Sequence, residues 1–228
     1  MFKKLIASIG FALVMGLGAA APANATLVGL SLLIDGSGSI SAADFTTQKN
    51  GYINALSAIL ATDGSVAIEV YQFANNTVSS VFSLQVIGAG QKASLLAALG
   101  AMAQLGGGTP TGPAIVQAAA DLNAFAGLTR KIIDVSTDGF GNQGINETTA
   151  ALNAVAGGIN QVNVLCIGGS ANCNFNAGTG SFNVAATFAN FQSTLEGKLR
   201  RELQIPEPGP LALLALGLLT MVVVRRRA

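Results

Sequence analysis

From Leu27 to Asp35 the chain reads LVGLSLLID, an almost unbroken apolar run that predicts a strand covered on both faces. A short Ser/Gly stretch follows, and Ser41 then stands three positions before Asp44, a capping-box-like helix start. Phe45, Tyr52, Ile53, Leu56, Ile59 and Leu60 fall largely at helical spacing until Thr62-Asp63-Gly64 stops the pattern. From Ser65, SVAIEVYQFA alternates as a second strand, and Asn75-Asn76 turns the chain into TVSSVFSLQVI, a short antiparallel edge strand. Helical spacing returns from Gln91 to about Leu105. After the break GGGTPTGP another helix is expected from Pro113 to Phe125, with Pro113 at its first position. RKIIDVST, Arg130 to Thr137, is a fourth strand closed by the turn DGFGNQG. A helix around Asn146 to Ala156, a fifth strand in QVNVLCIGG, a polar loop and a last helix from about Phe182 to Leu203 complete the pattern.

Strands alternating with helices define an α/β fold, a doubly wound and mostly parallel sheet with helices on both faces and one antiparallel edge strand. Such sheets bind ligands outside the carboxyl ends of the strands, where strand order reverses. With the order 3-2-1-4-5, strands one and four meet there. Asp35 ends the first and Asp138 follows the fourth.

Two terminal segments change this picture. A mean hydropathy of +0.54 over 228 residues is too apolar for a simple soluble domain. Residues 1–25 carry Lys3-Lys4, an apolar stretch from Leu5 to Ala21 and Ala23-Asn24-Ala25, the three parts of a secretory signal peptide, with cleavage expected after Ala25. Residues 205–228 carry Pro206-Glu207-Pro208, the apolar run GPLALLALGLLTMVVV and the cluster Arg225, Arg226 and Arg227. That run barely reaches the ~20 residues of a spanning helix, and the arginines would hold its end on the cytoplasmic side.

Between them, residues 26–204 form one domain's worth of chain. Seven basic against ten acidic residues give it a net charge of −3, which removes the electrostatic footprint of a nucleic-acid binder. Cys166 and Cys173 are the only cysteines, and in an exported chain they are expected to pair as a disulfide. The absence of histidine excludes a Ser-His-Asp triad and leaves too few soft ligands for zinc. GAGQKAS lacks the spacing of a phosphate-binding loop, and GSGSIS lacks the last glycine of a dinucleotide fingerprint.

Three segments converge on one rim of the predicted sheet. They are Asp35, Ser37 and Ser39 after strand one, Thr109 and Thr111 in the Gly-rich break, and Asp138 after strand four. Hydroxyls and carboxylates, on loops whose glycines allow close backbone approach, are the ligands hard divalent cations take. DGSGS at Asp35 to Ser39, the threonine of GGGTPTG and STDG ending in Asp138 resemble the three parts of the metal-ion-dependent adhesion site of von Willebrand factor A domains. The resemblance covers about Leu27 to Leu203. It implies that the hydroxyls of Ser37, Ser39 and Thr109 bind the metal directly, with Thr109 preferred over Thr111 because it follows the glycines. It further implies that Asp35 and Asp138 act mostly through bound water, that the ion is Mg²⁺, Mn²⁺ or Ca²⁺, and that its open position takes a partner's carboxylate. RKIIDVSTDG and KLRREL further resemble a bacterial von Willebrand A subfamily of unknown function. Asp134, on the same strand face as Asp138, reads as a buried, hydrogen-bonded acid rather than a ligand.

The C-terminal segment resembles the PEP-CTERM sorting signal of Gram-negative bacteria. This implies transit through the inner membrane, recognition by an exosortase, and delivery to the cell surface or an exopolysaccharide matrix. The expectation is a non-enzymatic binding or adhesion protein that engages a protein or matrix ligand through a metal-bridged carboxylate. Two alternatives stand beside it: a structural component of an exopolysaccharide or biofilm matrix that needs no metal, and a metal-assisted hydrolase.

Overall fold

The computed structural model describes residues 27–168 and 173–205. The segment expected to be a signal peptide, Pro206-Glu207-Pro208, the apolar run and the arginine cluster lie outside the described residues. Among those described, no helix is long and apolar enough to cross a membrane.

Six strands form one sheet: β1 (Val28–Asp35), β2 (Val66–Ala74), β3 (Thr77–Val86), β4 (Arg130–Thr137), β5 (Gln161–Ile167) and β6 (Asn183–Ala186). Their order is β3-β2-β1-β4-β5-β6, with β3 antiparallel to β2 and every other pairing parallel. The hairpin joining β2 to β3 turns on Asn75 and Asn76, at φ 48° and 60°, the left-handed pair a two-residue turn requires.

Five helices cover the sheet: α1 (Ala42–Ile59), α2 (Ala89–Ala101), α3 (Thr111–Ala124), α4 (Glu147–Ala156) and α5 (Phe191–Glu202). The alternation of β1 divides the core in two. Leu30, Leu32 and Ile34 pack with residues of α1, α2 and α5, whereas Leu33 packs with residues of α3 and α4. Right-handed crossovers carry α1 and α4 to opposite faces, so the chain departs in opposite directions from the ends of β1 and β4. Their carboxyl ends therefore flank the crevice.

Three boundaries differ from the sequence pattern. The last helix begins at Phe191, because residues 183–186 pair with β5 as a sixth strand and a 3-10 turn at Phe188–Asn190 precedes the helix. Helix α2 stops at Ala101, and the helical spacing up to Leu105 belongs to a loop bound along residues 36–40. Helix α3 starts at Thr111, so Pro113 lies within its first turn, where a missing N–H is still tolerated.

Candidate metal centre

Asp35 is the last residue of β1 and is fully buried. Its Oδ1 accepts the Ser37 backbone N–H at 2.8 Å, and its Oδ2 accepts the Thr137 hydroxyl at 2.6 Å. The carboxylate thus folds the turn after β1 back on itself and ties it to the end of β4. Burial raises the Asp35 pKa to about 6 despite the Ser37 and Thr137 hydrogen bonds, and the nearby Asp138 carboxylate adds to the shift.

The hydroxyls form a chain outward from this buried acid. Ser37 Oγ lies 3.0 Å from Ser39 Oγ, and the Ser39 hydroxyl donates to Asp138 Oδ1 at 2.8 Å. Ser37 is buried, Ser39 exposed and Asp138 partly buried, so the chain runs from the core to solvent.

The Gly-rich loop closes the third side by backbone contact. Gly106 N–H donates to Gly36 O and Gly38 N–H to Gly107 O, both at 2.8 Å. At this approach a Cβ on Gly38 would meet Gly107 N at 3.2 Å, and Gly107 itself has φ +81°. Glycine is thereby favoured at Gly38 by the close approach and at Gly107 by its left-handed backbone. Thr109 is nearly buried, and its backbone is held from both directions by Asn142: Thr109 N–H donates to Asn142 Oδ1 at 2.8 Å, and Asn142 N–H donates to Thr109 O at 3.0 Å. The loop after β4, which carries Asp138, is therefore clamped to the loop carrying Thr109.

Asp35, Ser37, Ser39 and Asp138 are directly bonded in sequence along this chain, and Thr109 joins them through the loop contacts. Thr111 lies one turn deeper, at the start of α3, with its hydroxyl buried and lacking a hydrogen-bond partner. The sequence pattern missed several residues that position the site. Thr137 anchors Asp35 and also accepts the Gly139 N–H. Gln72 binds Ala103 O and Leu105 N–H, and Gln104 binds Ser37 O and Ile40 O. Gln143 accepts from Asn76 N–H and so ties the β2–β3 hairpin to the site. The available signal was Gln72 itself, a buried amide inside the otherwise apolar second half of β2.

The donor set is all oxygen. Two carboxylates and two serine hydroxyls lie in one hydrogen-bonded cluster, with no basic side chain hydrogen-bonded or ion-paired to it among the described residues. This suits a hard divalent cation and opposes a soft one. Among the described residues no group of three or more Cys, Asp or Glu could hold a metal, so an ion here must rely on hydroxyls and water.

Cys166 and Cys173 form a disulfide with Cα atoms 5.7 Å apart, pinning the loop after β5 to the end of that strand. Asp134 is buried and ion-paired to Lys198 at 2.7 Å, a structural acid on the interior of the sheet.

The architecture is that of von Willebrand A domains. The solved structures it resembles include proximal thread matrix protein 1 from the mussel byssus with a zinc-occupied MIDAS motif (TM-score 0.62, 18% identity, covering 78% of this chain and 48% of that one). The pilus adhesin SpaC from Lactobacillus rhamnosus GG matches with TM-score 0.64 and 18% identity, covering 79% of this chain and 30% of that one. A von Willebrand factor type A protein from Catenulispora acidiphila matches with TM-score 0.61 and 16% identity, covering 76% and 42%. The chain thus spans about half or less of these proteins. A search of curated proteins finds no match.

The chain belongs to the family described as protein of unknown function (DUF1194), whose profile matches residues 25–207. A PEP-CTERM protein-sorting motif matches residues 204–227, which takes in Pro206, Glu207, Pro208 and the arginine cluster. The motif marks an exported protein destined for the surface of a Gram-negative cell.

Proposed function

We propose that this protein is a surface- or matrix-associated binding protein that engages an acidic group of its partner through a divalent cation. Ser37, Ser39 and Thr109 would supply the direct oxygen ligands. Asp35 and Asp138 would act through bound water and balance the charge, and the cation would supply a Lewis-acidic position for a partner's carboxylate. The observation that carries this reading is the oxygen chain from Ser37 through Ser39 to Asp138, 3.0 and 2.8 Å long, joining loops 99 residues apart in sequence.

Asp35 is oriented before any ion arrives, because the Ser37 amide and the Thr137 hydroxyl already fix both of its oxygens. Beside the site Phe140, two residues after Asp138, is 55% exposed, and Ile145 is 38% exposed. A cavity of about 280 Å³ opens next to them between Phe140, Asn146 and Phe175. An anionic anchor at the ion and an apolar contact on this rim suit a protein ligand. The tail is read as an exosortase substrate, residues 1–25 as a cleaved signal peptide, and residues 26–204 as the mature binding domain.

Isothermal calorimetry of the full chain with Mg²⁺, Mn²⁺ and Ca²⁺ tests the proposal. Saturable binding is expected for at least one ion, weakened at least tenfold in Ser39→Ala and lost in Asp138→Ala, with unchanged circular dichroism. Absence of binding, or equal binding by the variants, would sink the metal reading.

A further inference from the structure

Two helices, α3 and α4, cover one face of a six-stranded sheet, and they leave part of β2 and β3 open beyond the C-terminal end of α3. A cavity of about 340 Å³ lies there, lined by Glu69 and Tyr71 of β2, Ser83 and Leu84 of β3, and Asp121, Ala124 and Phe125 at the end of α3. Glu69 pairs with Ser31 of β1 and Asp35 with Phe73 of β2, so the cavity lies ~13 Å along the strands from the metal centre, at the usual rise per residue.

Glu69 is 1% exposed, and its Oε1 is buried with no hydrogen-bond partner. The Ser31 hydroxyl stands beside it, close enough to lower its pKa but without forming a well-aligned hydrogen bond. Asp121 faces the same space. It accepts the Tyr71 hydroxyl at 2.5 Å and the Gln117 amide at 3.0 and 3.2 Å, all neutral donors. Among the described residues neither carboxyl has an ion-pair partner. Burial raises the Glu69 pKa to about 8, with a smaller contribution from Asp121 and an opposing one from Ser31. An isolated buried carboxyl destabilises the fold, and a cation brought against it removes that penalty.

We propose that this groove binds a primary ammonium group carried on an apolar body. Glu69 and Asp121 take the ammonium from two sides, and Leu84, Ala124 and Phe125 pack the body. An ammonium has three N–H donors for the two carboxyl groups and needs no fixed coordination shell. A divalent ion would need six or more oxygens, and the lining offers far fewer. The cavity falls at the small end of the range for ligand pockets, the size of one arylalkylamine or one lysine side chain.

The test is calorimetry of the full chain in a non-ionic detergent at neutral pH. The probes are phenethylammonium for a free amine, Nα-acetyl-lysine methylamide for a partner's side chain, and neutral phenethyl alcohol as the control. Saturable binding of either ammonium, at least tenfold tighter than the alcohol, is expected; whichever binds tighter names the source. Glu69→Gln, which keeps the side-chain shape, should weaken it at least tenfold. Ala124→Trp, at an exposed position on the rim, should abolish it by filling the groove, while Mg²⁺ binding stays as in the parent. Equal binding of ammonium and alcohol, or isotherms unchanged in both variants, overturns the proposal. So does saturation by Ca²⁺ or Mg²⁺ that disappears in Glu69→Gln.

Discussion

Lys198 sits in the core with its ammonium 2.7 Å from Asp134 Oδ1 and 2.6 Å from Glu202 Oε1, and all three side chains are fully buried. Asn163 donates to the same Glu202 oxygen at 2.9 Å. Burial first, and Asp134 second, raise the Glu202 pKa to about 8, with Lys198 opposing. A proton kept on Glu202 leaves one negative charge against one positive charge in this buried cluster. Removing the cation strands that charge. Lys198→Met is expected to lower stability by about 3–5 kcal/mol in urea unfolding. The proton has its own signature. Glu202 and Glu69 both have folded pKa values of about 8 against an ordinary 4.5, so the folded state binds more protons between those values. Their contribution to stability is complete below about 4.5 and is lost as pH rises toward 8. Thermal midpoints measured from pH 5 to 8 should therefore decline, and Glu202→Gln, which can still donate to Asp134, should flatten the decline. A midpoint that rises over this range contradicts the assignment.

At the scale of elements, the site depends on loops made rigid by their neighbours. The strand-end turns contribute few apolar contacts. Their order comes instead from side-chain amides, with the buried Gln72, the half-buried Gln104 and the exposed Asn142 each holding a segment remote in sequence. The disulfide plays the same part at the far side of the sheet, where Cys173 is buried and the loop it anchors leads into β6. Closing an eight-residue loop is worth roughly 2–3 kcal/mol by chain entropy. Cys166→Ser with Cys173→Ser should therefore reduce the unfolding free energy by about that amount without abolishing Mg²⁺ binding, since neither cysteine is one of the oxygen-bearing residues of the rim. Loss of metal affinity in the double variant would show instead that the β5 end supports the site.

The same scale shows why some elements were readable in advance and others were not. Strand β4 has the bounds Arg130–Thr137 that the sequence pattern gives, and Ser41 caps α1 by accepting the Asp44 N–H at 3.2 Å, as the spacing predicts. Both are local signals. Strand β6 has four residues, NVAA, in a polar stretch, and only pairing with β5 makes it a strand. The end of α2 differs for a related reason: residues 102–105 continue the helical spacing, yet Met102 O accepts from Lys49, Ala103 O and Leu105 N–H bond to Gln72, and the Gln104 amide bonds Ser37 O and Ile40 O.

For the whole molecule, the domain and its sorting motif lie in sequence order, and residues 204–207 fall within both matches. Replacing Pro206-Glu207-Pro208 by alanines should leave the fold and the proposed metal binding unchanged while retaining the protein in the inner membrane. Fractionation and immunoblotting report this directly, and unaltered surface delivery would show that the tripeptide is dispensable for sorting.

The sequence by itself determined the α/β architecture, the antiparallel hairpin and the identity of the rim residues. Hydrophobic periodicity and turn chemistry are properties of neighbouring residues, and the three oxygen-bearing segments carry their own pattern. Only the tertiary structure decided that Thr137 and Gln72 hold that rim together, that Lys198 neutralises Asp134, and that Glu69 lies buried without a partner beside an open groove. Each of these depends on which distant side chain shares a desolvated space, and strand pairing and helix packing, not local spacing, decide who shares it.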